Sequence, residues 1–95
     1  MLVRIGIHYP RPGKETFILD AMRRFGEVQR QHKELIMVHA LKDEKANALI
    51  GLAIWDSRES YLAAREDMSK ALESANFDEW EDNPPLVFDC EPVVL

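Results

Sequence analysis

Leu35-Ile36-Met37-Val38-His39-Ala40-Leu41-Lys42, Asp43-Glu44-Lys45-Ala46-Asn47, Ala48-Leu49-Ile50-Gly51-Leu52-Ala53-Ile54-Trp55: two mainly apolar runs joined by a short polar stretch decide the fold. Each run has the length of a strand, and the polar residues between them supply a hairpin turn. The first run is apolar on both faces except at His39. The second is apolar along its whole length, which marks a central strand covered on both sides.

Upstream, residues 2–9 alternate, with Val3, Ile5, Ile7 and Tyr9 on one face and Leu2, Arg4, Gly6 and His8 on the other, so they read as another strand. Pro10-Arg11-Pro12-Gly13 ends it, because proline cannot extend a ladder and glycine relaxes the turn. From Lys14 to His32 the period becomes helical: Phe17, Ile18, Ala21, Met22, Phe25 and Val28 form one stripe. Gly26 within that helix costs about 1 kcal/mol relative to alanine, which a close approach to the sheet or simple tolerance would explain.

Downstream, Asp56-Ser57-Arg58-Glu59 reads as a helix start, with Asp56 capping and Glu59 three residues on. That helix is expected to reach Ala75 and to bury Tyr61, Ala64, Met68, Leu72 and Ala75. The acidic segment 77–85 ends in two prolines, and a last strand follows from Leu86 to Glu91. The order is β-α-β-β-α-β over a single domain, residues 1–95. Right-handed crossovers give an α+β, ferredoxin-like fold: a four-stranded antiparallel sheet, strand order 4-1-3-2, with two helices on one face.

The other face then needs a cover. Parity assigns Val3, Ile5, Ile7, Leu86, Phe88 and Cys90 to the helix side. The small Gly51 and Ala53 join them there with Trp55 and leave room. Ile50, Leu52 and Ile54, with Leu35, Met37 and Leu41, are left uncovered, a patch too apolar for a stable monomer. The expected partner is a second copy, with Ile50, Leu52, Ile54, Met37 and His39 in the interface. Arg4, His8, His39, Asp89 and Glu91 fall on the same face, where Arg4 is expected opposite Glu91 as a cross-strand ion pair.

Composition excludes several functions. Twelve basic against seventeen acidic residues give a net charge of −5, which argues against nucleic acid, whose phosphates call for clustered Lys and Arg. The single cysteine, Cys90, excludes an intrachain disulfide, and on an apolar strand it reads as a small buried hydrophobe. His8, His32 and His39 lack metal-ligand spacing, so no metal is expected. No phosphate loop or Ser-His-Asp signature is present. The start lacks a signal-peptide core and no run is long enough to span a bilayer, so a cytoplasmic protein without membrane contact is expected.

The stretch Trp55-Asp56-Ser57-Arg58-Glu59-Ser60-Tyr61 resembles the antibiotic-biosynthesis-monooxygenase-like domains of the dimeric α/β-barrel superfamily. The likeness in element order covers nearly the whole chain. It implies a homodimer whose sheets close into a barrel, with a pocket between sheet and helices in each subunit and no cofactor. Trp55 matches a tryptophan that often lines that pocket. Haem-degrading relatives carry a histidine ten residues after it, where this chain has Arg65, and an asparagine on the first strand, which residues 2–9 lack. Relatives that oxidise polycyclic phenols carry an asparagine four residues before the tryptophan, where Gly51 stands. The scaffold carries over and the specific chemistries do not.

The candidate ligand-pocket residues are Tyr9, Trp55, Tyr61 and Arg65. Trp55 either stacks a flat ligand or caps the core. Tyr9 either offers its hydroxyl to a ligand or is a core tyrosine with a wet tip. Arg65, four residues after Tyr61, either binds a carboxylate or phenolate or extends into solvent. Two functions follow: a cofactor-free monooxygenase acting on a small aromatic or quinone-like compound, or a non-catalytic dimeric protein with a small-ligand-binding or stress-related role.

Overall fold

In the computed structural model, which describes residues 1–95, the elements run β1 (Leu2–His8), α1 (Glu15–Arg30), β2 (Leu35–Asp43), β3 (Ala48–Trp55), α2 (Arg58–Ala71), α3 (Phe77–Trp80) and β4 (Leu86–Cys90). The strands form one antiparallel sheet ordered β2-β3-β1-β4, the expected 4-1-3-2 order read from the other edge. No helix is long and apolar enough to cross a membrane. The β2–β3 hairpin closes through Asn47, whose φ of 52° is left-handed, a conformation asparagine tolerates better than most side chains. Its amide also donates to the Pro10 carbonyl at 3.2 Å, which ties the hairpin to the end of β1.

Both long helices cover one face. Leu2, Ala53 and Trp55 of the sheet form a core with Tyr61, Ala64 and Met68 of α2, and Phe25 and Val28 of α1 pack against it. Fully burying side chains such as Leu2, Ile18, Leu49 and Met68 stabilises the fold by roughly 1.5–3 kcal/mol each. The helix α2 begins at Arg58 with Ser57 as cap, its Oγ accepting from the Ser60 amide at 3.1 Å. Asp56 does not cap it. The Asp56 amide still donates to the Glu34 carbonyl at 3.0 Å, which holds that residue at the strand end. The segment read only as acidic contains α3.

Register corrects the expected parity of the outer strands. Directly opposed residues of an antiparallel pair share a face, and β1 sets Leu2, Arg4, Gly6 and His8 opposite Trp55, Ala53, Gly51 and Leu49. The set Leu2, Arg4, Gly6 and His8 therefore faces the helices. Val3, Ile5 and Ile7 lie on the open face beside Ile54, Leu52 and Ile50, and β4 adds Cys90, Phe88 and Leu86 there. Cys90 is accordingly exposed, not buried. His8 and His39 lie on opposite faces.

Arg4 pairs with Asp89 at 3.2 Å, not with Glu91, which instead binds Arg58 at 2.7 Å. Leu35 also changes sides. A bulge between Leu35 and Met37 turns it opposite Trp55 and into the core, while Met37, His39 and Leu41 stay on the open face. The assignment of Gly51, Ala53 and Trp55 to the helix side and of Ile50, Leu52 and Ile54 to the open side agrees with the register.

Candidate functional site

Read across the sheet on the helix side, Ala40, Gly51, Gly6 and Val87 stand in one row. Three of the four carry a methyl group or less, so the sheet cannot fill the space up to α1 along that row. A Cβ added to Gly51 would lie 3.5 Å from Met22 Cε, so the roof of the space is the methionine of α1. A cavity of about 360 Å³ results, walled by the sheet, α1, Leu72, Phe77 and Pro85. That volume is in the range of pockets that take drug-sized ligands.

One end of the cavity is defined by His8. Its Nδ1 lies 2.9 Å from Glu81 Oε2, and its ring stacks on Phe77 at 5.1 Å. Glu81 is only 3 % exposed. Its other oxygen accepts the Tyr9 backbone N–H at 2.7 Å, which accounts for burying a carboxylate here. The surrounding segment is stitched to the end of β1: Pro10 bridges to Glu81, the Arg11 amide donates to the Trp80 carbonyl at 2.8 Å, and Phe17 stacks on Trp80. In the neutral ring, donation of Nδ1–H to Glu81 leaves the lone pair on Nε2 of His8. That nitrogen lies 3.9 Å from where a Cβ on Gly6 would sit, over the cavity floor.

The other end is cationic and amide-rich. Arg4 lines it, fixed from behind by Asp89 and by Tyr61, whose hydroxyl accepts from Nη1 and whose ring lies 4.7 Å below the guanidinium. Gln29 and Arg30 come down from α1. Gln29 is 3 % exposed, lines the cavity, and takes part in none of the side-chain hydrogen bonds of the chain. Arg30 pairs with no carboxylate, and its Nη1 lies 3.5 Å from the position a Cβ on Gly26 would take. The neighbour of Gly26 is thus the Arg30 guanidinium and not the sheet, at a distance a methyl group would tolerate.

The four expected pocket residues lie elsewhere. Trp55 is fully buried in the core, edge-on to Tyr61, and its Nε1 has no partner. Tyr61 reaches the cavity only through Arg4. Tyr9 is 45 % exposed just past β1, and Arg65 is exposed on α2. The residues that do line the cavity include Arg4, Gly6, His8 and Gln29. The pairing of a buried glutamate with a histidine seventy-three positions away leaves no local signal. The two glycines opposed across β1 and β3 were visible as residues but not as neighbours.

No family model and no curated protein matches the chain. Solved structures do match it. Rv0793 from Mycobacterium tuberculosis aligns with a TM-score of 0.83 at 14 % identity, over 99 % of this chain and 96 % of that one. A structure described as an antibiotic biosynthesis monooxygenase aligns with a TM-score of 0.79 at 16 % identity, over 99 % and 100 % of the two chains. The Nitrosomonas europaea protein NE2512, of unknown function, gives 0.76 at 17 % identity over 99 % and 90 %. The chain has the ferredoxin-like fold seen in antibiotic-biosynthesis-monooxygenase-like proteins.

Proposed function

We propose that the chain is a homodimeric, cofactor-free monooxygenase whose helix-side cavity takes a small aromatic or quinone-like compound. The observation that carries this reading is the 360 Å³ cavity over Gly6 and Gly51, open enough for a flat ring system and edged by Arg4, His8 and Gln29. The description of one structural neighbour as an antibiotic biosynthesis monooxygenase supports the same direction.

In the reaction, loss of a proton gives a delocalised carbanion that can itself reduce oxygen. A ring methylene then loses two hydrogens and gains one oxygen atom, and the second oxygen atom leaves with those hydrogens as water. The carbon is oxidised by four electrons and O₂ is reduced by four. Arg4, held by Tyr61 and Asp89, stabilises the anion, because a preorganised guanidinium in a partly dry site acts more strongly than one in water.

The dimer covers the open face. Met37, His39, Ile50, Leu52 and Ile54 share it with Val3, Ile5 and Ile7, and a self-complementary two-fold contact would bury them all. An oxygen electrode and absorption spectroscopy test the catalytic reading, with a panel of reduced polycyclic phenols. Oxygen uptake with stoichiometric quinone formation is expected. Tight binding without uptake would favour the non-catalytic ligand-binding alternative, for which Gly51 in place of asparagine speaks. Neither binding nor uptake across the panel would overturn the proposal.

A further inference from the structure

We propose that His8 and Glu81 form the proton-accepting dyad of the cavity, taking the hydroxyl proton of a ligand whose anion the Arg4 end of the site holds. This rests on the reading of the cavity as a ligand site. The geometry supplies three independent reasons.

The first is the tautomer. Glu81 is buried and takes Nδ1 at 2.9 Å, so the imidazole presents Nε2 to the cavity as an acceptor. Phe77 stacked on the ring fixes its plane. A carboxylate behind an imidazole both orients it and stabilises the imidazolium that forms when Nε2 takes a proton. Imidazole is also the side chain suited to proton transfer near neutral pH.

The second is placement. Arg4 and His8 lie four residues apart on the same face of β1, about 13 Å between their Cα atoms, and the His8 ring leans back so that Nε2 lies over Gly6. Only Gly6 stands between them on that face, with Gly51 opposite it on β3. The proton acceptor therefore stands over the glycine floor, where a ligand lying on Gly6 and Gly51 would meet it.

The third is the far end. The first turn of α1 is tied to β2 by the Glu15–Lys42 pair at 2.8 Å, and Lys42 sits in the row of Leu49 and His8. Just past the end of α1, His32 lies 5.8 Å from Trp55, which sits opposite Leu2. The helix thus runs back from the His8 end to the Arg4 end and delivers Gln29 and Arg30 there. The Gln29 amide makes no side-chain hydrogen bond within the protein and opens onto the cavity instead. Gln29 and the unpaired Arg30 suit a carbonyl or carboxylate oxygen.

In the step itself, the O–H bond of the ligand breaks, its proton passes to His8 Nε2, and the electron pair stays on the phenolate oxygen. The other charged groups around the cavity are Arg4 on β1 and Arg23, Glu27 and Arg30 on α1. All but Glu27 favour an anion.

A nitronaphthol, whose phenolate absorbs in the visible, tests this at a pH where the free probe is neutral. Bound to the wild-type protein it is expected to show the phenolate band, and ¹⁵N NMR of the His8 ring should show Nε2 gaining a proton on binding. His8→Gln should bind the probe within a few-fold yet lower the bound phenolate fraction at least tenfold. Glu81→Gln should also lower it, and the methyl ether of the probe should give neither signal. A probe that binds the wild type only as the neutral phenol would overturn the dyad while leaving the cavity reading intact. The dyad is equally overturned if His8→Gln retains the full phenolate band. A probe that does not bind at all would overturn the cavity reading together with the dyad.

Discussion

Replacing Glu81 with alanine should unfasten the acidic segment from β1 and destabilise the protein substantially. Glu81 accepts the Tyr9 amide at 2.7 Å and His8 Nδ1 at 2.9 Å, and its side chain is 1 % exposed. Each hydrogen bond to a charged group contributes roughly 1.5–3 kcal/mol. The alanine also leaves two donors facing a site from which water is largely excluded. Against this stands the relief of no longer burying a carboxylate, which reduces the net loss to about 2–4 kcal/mol.

For a domain of this size 1 kcal/mol corresponds to a shift of about 4–8 °C in melting temperature, so a fall of at least about 10 °C is expected. Glu81→Gln keeps an acceptor for Tyr9 and should lose only about half as much. Thermal and urea unfolding at one fixed protein concentration give the magnitude, since a dimer makes stability concentration-dependent. Hydrogen exchange at the Tyr9 amide gives the location, and it should accelerate in the alanine variant before distant strands do. If Glu81→Ala unfolds within about 0.5 kcal/mol of wild type with Tyr9 still protected, the latch does not exist.

Leu52→Glu places charge twice in the proposed two-fold interface and should dissociate or aggregate the protein, whereas Asp20→Lys on the exposed face of α1 should not; sedimentation of the wild type as a monomer at high micromolar concentration would contradict the interface. Haem should not be degraded, because Arg65 stands where haem-degrading relatives have histidine and β1 lacks their asparagine; steady loss of the Soret band with iron release under reductant would show the opposite. Gly26→Ala should stabilise α1 by up to about 1 kcal/mol in urea unfolding, since its Cβ would meet Arg30 Nη1 only at an ordinary contact distance of 3.5 Å. The Lys42 ammonium is held above its ordinary 10.5 by its hydrogen bond to Glu15 and then by that carboxylate's charge. Its folded pKa being raised, the stability it adds is present in full below the unfolded value and is lost as pH rises through the folded one; wild type and Lys42→Met should therefore differ near neutral pH and converge in strong alkali, a small and salt-sensitive gap followed by urea midpoints.

The elements and their order follow from periodicity alone, because strands and helices each bury one face and so repeat at their own spacing. The apolar run 48–55 reads as a central strand, and setting its small residues toward the helices, a choice the register bears out, leaves room there. Which face of β1 meets the helices is a different kind of question. Val3-Ile5-Ile7 is the apolar parity and Leu2-Arg4-Gly6-His8 the mixed one, so polarity alone turns the wrong set toward the helices, where a cavity receives Arg4, Gly6 and His8. The register with β3 decides it, by setting Gly6 against Gly51 and Arg4 against Ala53.

That one decision moves Arg4 and His8 from the open face into the cavity. Trp55 was legible as a core residue or a ligand contact, and only packing against Tyr61 and Ala64 places it wholly in the core. Glu81 was the least legible of all. In the sequence it is one acid among several in a polar segment. Its burial depends on the chain folding back over seventy-three residues to bring a carboxylate to a histidine and a free amide, and contacts made at that separation are written in the tertiary structure alone.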